Sequence, residues 1–174
     1  MSDLGLIQVY TGTGKGKTTA SLGLALRACG HGLKVYMIQF MKGRIDYGEL
    51  KAVDKIEGLT IEQFGRPEFV DKDNPSEEDV KLAREALQKS REIILSGKYD
   101  MVILDEINVA IEWNLIRLED VIDLLERKPA NVEVILTGRY ARKEIIDLAD
   151  LVSEVREVKH PFKRGMHSRV GVDF

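Results

Sequence analysis

The sequence predicts an α/β protein in three layers, α/β/α, with helices on both faces of a mostly parallel sheet. Three observations predict it. Short, nearly all-apolar runs alternate with segments of helical periodicity along the whole chain. Such runs fit strands buried on both faces, as in a parallel sheet, better than strands with one wet face. The polar residues able to do chemistry stand directly after three of these runs, where open parallel sheets bind their ligands.

Taken in order, Leu6 to Thr11 ("LIQVYT") is a short β-branched run stopping at glycines, a buried strand. Lys17 to Ala28 carries Ala20, Leu22, Leu24, Ala25, Leu26 and Ala28 and stops at Gly30 and Gly32, a helix with glycine punctuation. Lys34 to Phe40 ("KVYMIQF") is a second strand, and Leu59 to Phe64 ("LTIEQF") a shorter third. Asn74-Pro75-Ser76-Glu77 reads as a helix start, with Asn74 as N-cap and Pro75 at the first position. Behind it Val80, Ala83, Leu87 and Ile94 hold a helical stripe to Ser96, and Gly97 ends it. Met101 to Leu104 ("MVIL") is a continuous apolar strand followed by Asp105-Glu106. Leu118 to Glu126 is an amphipathic helix, and Val132 to Thr137 ("VEVILT") a strand tipped by Gly138-Arg139. Glu144 to Ala149 is a short helix, and Leu151 to Lys159 a mixed strand at the sheet edge. The least regular stretches are Met41 to Gly58, Gly65 to Asp73 and the tail from His160.

The bulk properties set limits. The 174 residues are one domain's worth, long enough to bury a core, and at 44% hydrophobic and 32% charged the chain is globular. A net charge of -3 gives no global basic footprint, so nucleic acid is not the expected partner. Cys29, the lone cysteine, makes no intramolecular disulfide and reads as a small buried apolar residue in a reducing compartment. The N-terminal stretch has no basic region and too short an apolar run for a signal peptide. No stretch is long enough to span a membrane, and the expected location is cytoplasmic.

The chemistry begins in "YTGTGKGKTT", Tyr10 to Thr19. The commonest phosphate-binding loop is G-x-x-x-x-G-K-[ST]. Counting back from Gly16-Lys17-Thr18 puts Thr11 where the first glycine should be, with Gly12 one place late. Alternating Gly12, Gly14 and Gly16 let the backbone wrap tightly and turn several N–H groups inward. The helix starting there adds its positive end. Lys15 and Lys17 bring two mobile cations, Thr18 is placed to coordinate Mg²⁺, and Thr13 and Thr19 complete the nucleotide-binding run. A mere glycine-rich turn with solvated lysines would not explain why G-K-T-T falls on a strand-helix junction.

Asp105 and Glu106, after four apolar residues, have the position of an acidic pair closing a Mg²⁺ site. Their alternative role is capping the next helix. Arg139 can bind a phosphate by its planar fork or stand free in a turn. The tail, with Lys159, Lys163, Arg164, Arg169, His160 and His167, is locally basic and reads as a solvated face. Neither histidine has metal-ligand spacing, and Trp113 reads as packing.

With these residues in place, the chain resembles the ATP:cob(I)alamin (corrinoid) adenosyltransferases of the phosphate-loop type, which build the cobalt–carbon bond of adenosylcobalamin. "TGTGKGKTT" is similar to that family's shortened loop. "VYMIQFMKG" (Val35 to Gly43), "YDMVILDE" (Tyr99 to Glu106), "ILTGR" (Ile135 to Arg139) and "VSEVREVKHPFKRG" (Val152 to Gly165) resemble its later signatures, in order. The resemblance implies a RecA-like phosphate-loop nucleotide-binding fold, one domain over residues 1–174, with ATP as cosubstrate, Mg²⁺, and a corrinoid or cobalamin as substrate. It implies a reversed nucleotide: reduced cobalt attacks the 5′-carbon of the ribose and the whole triphosphate leaves, so the loop is a leaving-group cradle. Lys17 and Thr18 then carry the catalysis, and no general base is needed.

The resemblance also implies aromatic side chains after the third strand that help displace cobalt's lower axial ligand. Here "EQFGRPEFVDKD" offers Phe64 and Phe69 and no tryptophan. An electron-donor protein such as a flavodoxin-like reductase and a homodimer are implied too. An N-terminal extension that some relatives fold over the site is expected to be missing. Two other readings use the same residues: a phosphate-loop ATPase or small-molecule kinase, and a RecA-like module regulating a partner or DNA with salt-dependent polyanion binding.

Overall fold

The computed structural model describes residues 4–174. Its elements run β1 (Ile7–Thr11), α1 (Lys17–Gly30), β2 (Val35–Phe40), α2 (Gly48–Ala52), β3 (Leu59–Phe64), α3 (Glu77–Ser96), β4 (Met101–Asp105), α4 (Ile107–Glu112), α5 (Leu118–Glu126), β5 (Glu133–Thr137), α6 (Lys143–Leu148) and β6 (Leu151–Glu154). Short 3₁₀ turns follow at Val53–Lys55 and Pro161–Arg164. The six strands form one sheet in the order β3-β2-β4-β5-β1-β6. Every pairing is parallel, which sharpens the expectation of a mostly parallel sheet.

The two sheet faces bury separate clusters, which makes the third layer. Tyr36, Ile38, Phe40, Val102, Leu104, Val134 and Leu136 pack with residues of α3, α4, α5 and α6. The alternate residues Val35, Met37, Met101, Ile103 and Ile135 pack against Ala25 and Ala28 of α1. Because side chains alternate along a strand, an all-apolar run is what a doubly covered strand requires.

Several boundaries differ from the sequence expectation, each for a local reason. The cap of α3 is Ser76, not Asn74. The Ser76 hydroxyl accepts from Asp79 N at 3.1 Å, and Asp79 Oδ2 accepts from Ser76 N at 3.0 Å. That reciprocal pair satisfies two helix-end donors and outcompetes the Asn-Pro start two residues earlier. Strand β6 stops at Glu154, not Lys159. Its register partner Thr11 is the last residue of β1, and beyond it the glycine loop stays against the chain but wraps out of the extended conformation a ladder needs. Helix α4 went unread because Ile107 to Ile111 are all buried, which erases the polar face that reveals a helix. Helix α2 lies in a stretch expected to be irregular. Cys29 is half-buried at the smaller cluster, and burial raises its thiol pKa. Among the described residues no helix is long and apolar enough to cross a membrane.

Candidate functional site

The loop from Gly12 to Gly16 is pressed against the chain leaving β6. Gly14 N donates to Val155 O at 2.7 Å. A Cβ on Gly12 would lie 2.5 Å from that same oxygen, and one on Gly14 would lie 2.8 Å from Arg156 C. Gly12 and Gly16 also hold φ of 99° and 118°, which side chains resist. Gly12 is therefore required twice over, by close approach and by backbone angle, Gly14 by close approach and Gly16 by angle.

Gly16 delivers the chain into α1, whose first-turn N–H groups have no intrahelical acceptor and point out of the helix end. Lys17 is only 7% exposed. Its ammonium folds back on the loop, donating to Gly14 O at 2.7 Å and Gly12 O at 3.0 Å. Burial holds its pKa below the ordinary lysine value, against the opposing pull of Glu106.

Thr18 Oγ1 reaches across the sheet edge and donates to Asp105 Oδ1 at 2.9 Å. Asp105 has no exposed surface and is fully occupied. Thr137 Oγ1, at the tip of β5, donates to the same oxygen at 2.6 Å and accepts from Glu106 N at 3.0 Å. The other oxygen, Oδ2, takes Lys42 Nζ at 2.7 Å and Gln39 Nε2 at 3.4 Å. Gln39 in turn donates to Glu49 Oε1 at 3.1 Å and accepts from Gln63 Nε2 at 2.9 Å. A buried polar chain thus runs from β3 through β2 and β4 to β5 and the head of α1.

Glu106 sits in the left-handed region at φ 63° and makes no capping bond to α4, so the capping role is not taken up. Burial, then the Asp105 carboxylate, raise its pKa. Arg139 is exposed just past β5, close enough for its charge to oppose the ionised Lys17 and favour the ionised Glu106. Lys15, by contrast, turns away to the tail, donating to Val172 O at 2.7 Å and pairing with Asp173 at 3.1 Å. Arg169 holds that Asp173, and the carboxyl pKa falls to about 2. The tail is thus mostly exposed, as expected, but tied to the loop. Thr13 and Thr19 are exposed.

The two candidate aromatics part company. Phe64 closes β3 half-buried against the larger core cluster, while Phe69 is 97% exposed on the following loop. That loop is anchored by Arg66, whose fork grips Asp79 at 2.9 and 3.0 Å. Trp113 packs against the core, as expected.

Sequence reasoning did not single out Lys42, Gln39 or Thr137. The signal for Thr137 was a polar residue closing an apolar strand. For Lys42 and Gln39 it was a pair of polar residues in "IQFMKG" beside a strand end. Among the described residues no three His, Cys, Asp or Glu side chains gather into a metal cage. Thr18 and Asp105 nonetheless meet at one point, and the Glu106 carboxylate is near enough to feel the charges of Asp105, Lys42 and Lys17. This set of hard oxygens suits a Mg²⁺ ion bound by one or two carboxylates plus substrate phosphates.

Comparison with known proteins gives two kinds of likeness. The family described as ATP:corrinoid adenosyltransferase BtuR/CobO/CobP matches residues 3–174. The chain is 39% identical over 170 residues to a protein of Escherichia coli (strain K12) named "Corrinoid adenosyltransferase", covering 98% of this chain and 86% of that one. Among solved structures it resembles the flagellar accessory protein FlaH from Methanocaldococcus jannaschii, with TM-score 0.59, 14% identity and 87% and 71% of the two chains covered. It also resembles the KaiC-like protein PH0186 from Pyrococcus horikoshii OT3, with TM-score 0.55, 18% identity and 90% and 74% covered. These two likenesses are of fold, the RecA/KaiC-like phosphate-loop kind.

Proposed function

Because this chain belongs to the ATP:corrinoid adenosyltransferase family, we propose that it transfers the 5′-deoxyadenosyl group of ATP to the reduced cobalt(I) of a corrinoid. Cobalt(I) supplies both electrons of the new cobalt–carbon bond. The bond from C5′ to oxygen breaks, and that oxygen keeps its electron pair as triphosphate leaves. Nothing in the step needs a proton removed.

The observation that carries this reading is the meeting of Lys17, Thr18 and Asp105 at one edge of the sheet, beneath the open end of α1. Charge grows on the leaving oxygen, and preorganised donors placed where it grows are worth roughly 3 kcal/mol each. The first-turn N–H groups of α1 cradle the phosphates. Lys17 is already buried and held by two loop carbonyls, weak partners that a phosphate oxygen displaces readily. Thr18 and Glu106 would hold Mg²⁺, with Asp105, whose oxygens are already bonded, completing the shell through water. The ion supplies Lewis-acid neutralisation of the triphosphate when bound. Thr13, Lys15, Thr19 and Arg139 flank the same cradle, and Gly12, Gly14 and Gly16 shape it. Lys15 must leave Asp173 to reach a phosphate.

Phe69, exposed on a loop that Arg66 anchors, is an aromatic group available to a corrinoid, and Phe64 packs against the core at the start of that loop. The reading brings with it, from the family, a flavodoxin-like electron donor, a homodimer and a cytoplasmic setting. Its test is anaerobic: Mg²⁺-ATP and chemically reduced cob(I)alamin mixed with the protein, with the spectrum and phosphate products followed. Light-sensitive adenosylcobalamin with inorganic triphosphate is the expected outcome. ADP and phosphate without a cobalt–carbon bond would instead mean a hydrolytic loop or a kinase.

A further inference from the structure

Lys42 is placed with unusual firmness for a surface-loop lysine. It follows Met41, which holds φ of 57° and donates its N–H to Phe64 O at 2.8 Å. A Cβ on Gly43 would lie 2.2 Å from Gly65 O, and one on Gly65 would lie 2.4 Å from Lys42 N. The loops after β2 and β3 are therefore wedged together backbone to backbone, and Arg66 bolts the second of them to Asp79 of α3. The result fixes one ammonium beside a buried carboxylate, with only 16% of the Lys42 side chain exposed.

Two features exceed what a counter-ion needs. Asp105 already receives Thr18, Thr137 and Gln39 as well as Lys42, so both its oxygens are served without a fifth partner. An ammonium has three N–H donors. Among the described residues Lys42 donates one of them, to Asp105 Oδ2. The face of Tyr47 lies 5.6 Å from that nitrogen, and the Glu106 and Glu49 carboxylates are near enough to favour its charge without a hydrogen bond to it. The remaining donors belong to a nitrogen separated from Thr18 Oγ1 by the width of one carboxylate.

We propose that Lys42 is a substrate-contacting cation that holds Asp105 and an oxygen of the triphosphate at the same time, opposite Lys17. This rests on the phosphate-loop reading above and adds a second lysine to the leaving-group cradle, from β2's loop rather than from α1. It also joins the triphosphate to the loop that carries Phe69 through the Gly43–Gly65 contact.

The test measures binding of inorganic tripolyphosphate with Mg²⁺ by calorimetry, in the absence of any corrinoid. Lys42→Met is expected to weaken binding about ten- to hundredfold, the value of a hydrogen bond to a charged group, and Lys42→Arg to recover most of it. Removing Lys42 leaves Asp105 buried without its counter-charge, so the decisive comparison is Asp105→Asn against Asp105→Asn with Lys42→Met. If Lys42 touches the triphosphate, its loss persists in the neutral background; if it acts only through Asp105, the two variants bind alike and the proposal falls. Lys42→Met binding as tightly as the parent would also overturn it. A parent protein that binds no tripolyphosphate, or Lys17→Met binding as well as the parent, would overturn the phosphate-loop reading first and the Lys42 proposal with it.

Discussion

The two edges of the sheet both bury charge, but they spend it differently. At the amino-terminal edge, Glu133 accepts from Gly5 N and Leu6 N at 2.8 Å each and from Gln8 Nε2 at 2.6 Å. Lys128 turns its ammonium onto the carbonyls of Gly5, Pro129 and Val132. Asp150 and Asp100 accept from Ile7 N and Lys34 N, each at 2.8 Å. Each of these groups is bonded to backbone, and Glu133 also holds the Gln8 side chain. At the carboxyl-terminal edge, Lys17 rests on two loop carbonyls, Glu106 caps nothing, and Lys42 uses one donor of three. Cations with donors to spare mark the site; at the opposite edge the charges serve backbone.

The largest expected effect breaks the comparison at its working edge. Lys17→Ala should cut adenosyl transfer roughly 10²- to 10³-fold while unfolding free energy moves by about 1 kcal/mol or less. Normal turnover in the anaerobic spectral assay would show that the phosphate loop does not carry the reaction. Glu133→Ala should do the reverse. Stripping three donors of their acceptor should cost roughly 3 kcal/mol in urea unfolding, while the folded fraction keeps its turnover. A loss of turnover beyond the loss of folded protein would erase the division between the two edges.

A pH titration sharpens the boundary between them. The Arg66 fork beside Asp79 holds that carboxyl at about 2, below its ordinary 3.8. A depressed folded-state pKa means the contribution is complete above about pH 4 and lost as the pH falls toward 2. Acid unfolding should therefore steepen across that window, and Asp79→Asn should flatten it. An unchanged acid limb in that variant would detach the loop after β3 from α3. Least in stability terms is Phe69→Ala, expected to change unfolding free energy by about 0.5 kcal/mol or less, since the side chain is 97% exposed. Its effect belongs in turnover with a corrinoid, at unchanged affinity for tripolyphosphate. A variant indistinguishable in both would remove Phe69 from the reaction.

By itself the sequence determined the layer order, the strands and the phosphate loop. Their causes are local: all-apolar runs for doubly buried strands, glycines for a wrapped loop, G-K-T-T at the helix head. It was also enough to recognise the family, since the motifs come in order along the chain. The cap at Ser76 was legible too, in Ser76 and Asp79 three apart, but the Asn-Pro pair before it was the louder signal. Only the tertiary structure decided what meets Asp105. Strand β4 lies between β2 and β5, so Lys42, Thr18 and Thr137, from three separate stretches of chain, converge on one carboxylate. It alone sent Lys15 to the tail and left Phe64 in the core with Phe69 outside. The physical reason is that periodicity and turn chemistry act over a few residues, whereas a buried charge finds its partners across strands that neighbour one another only once the sheet has formed.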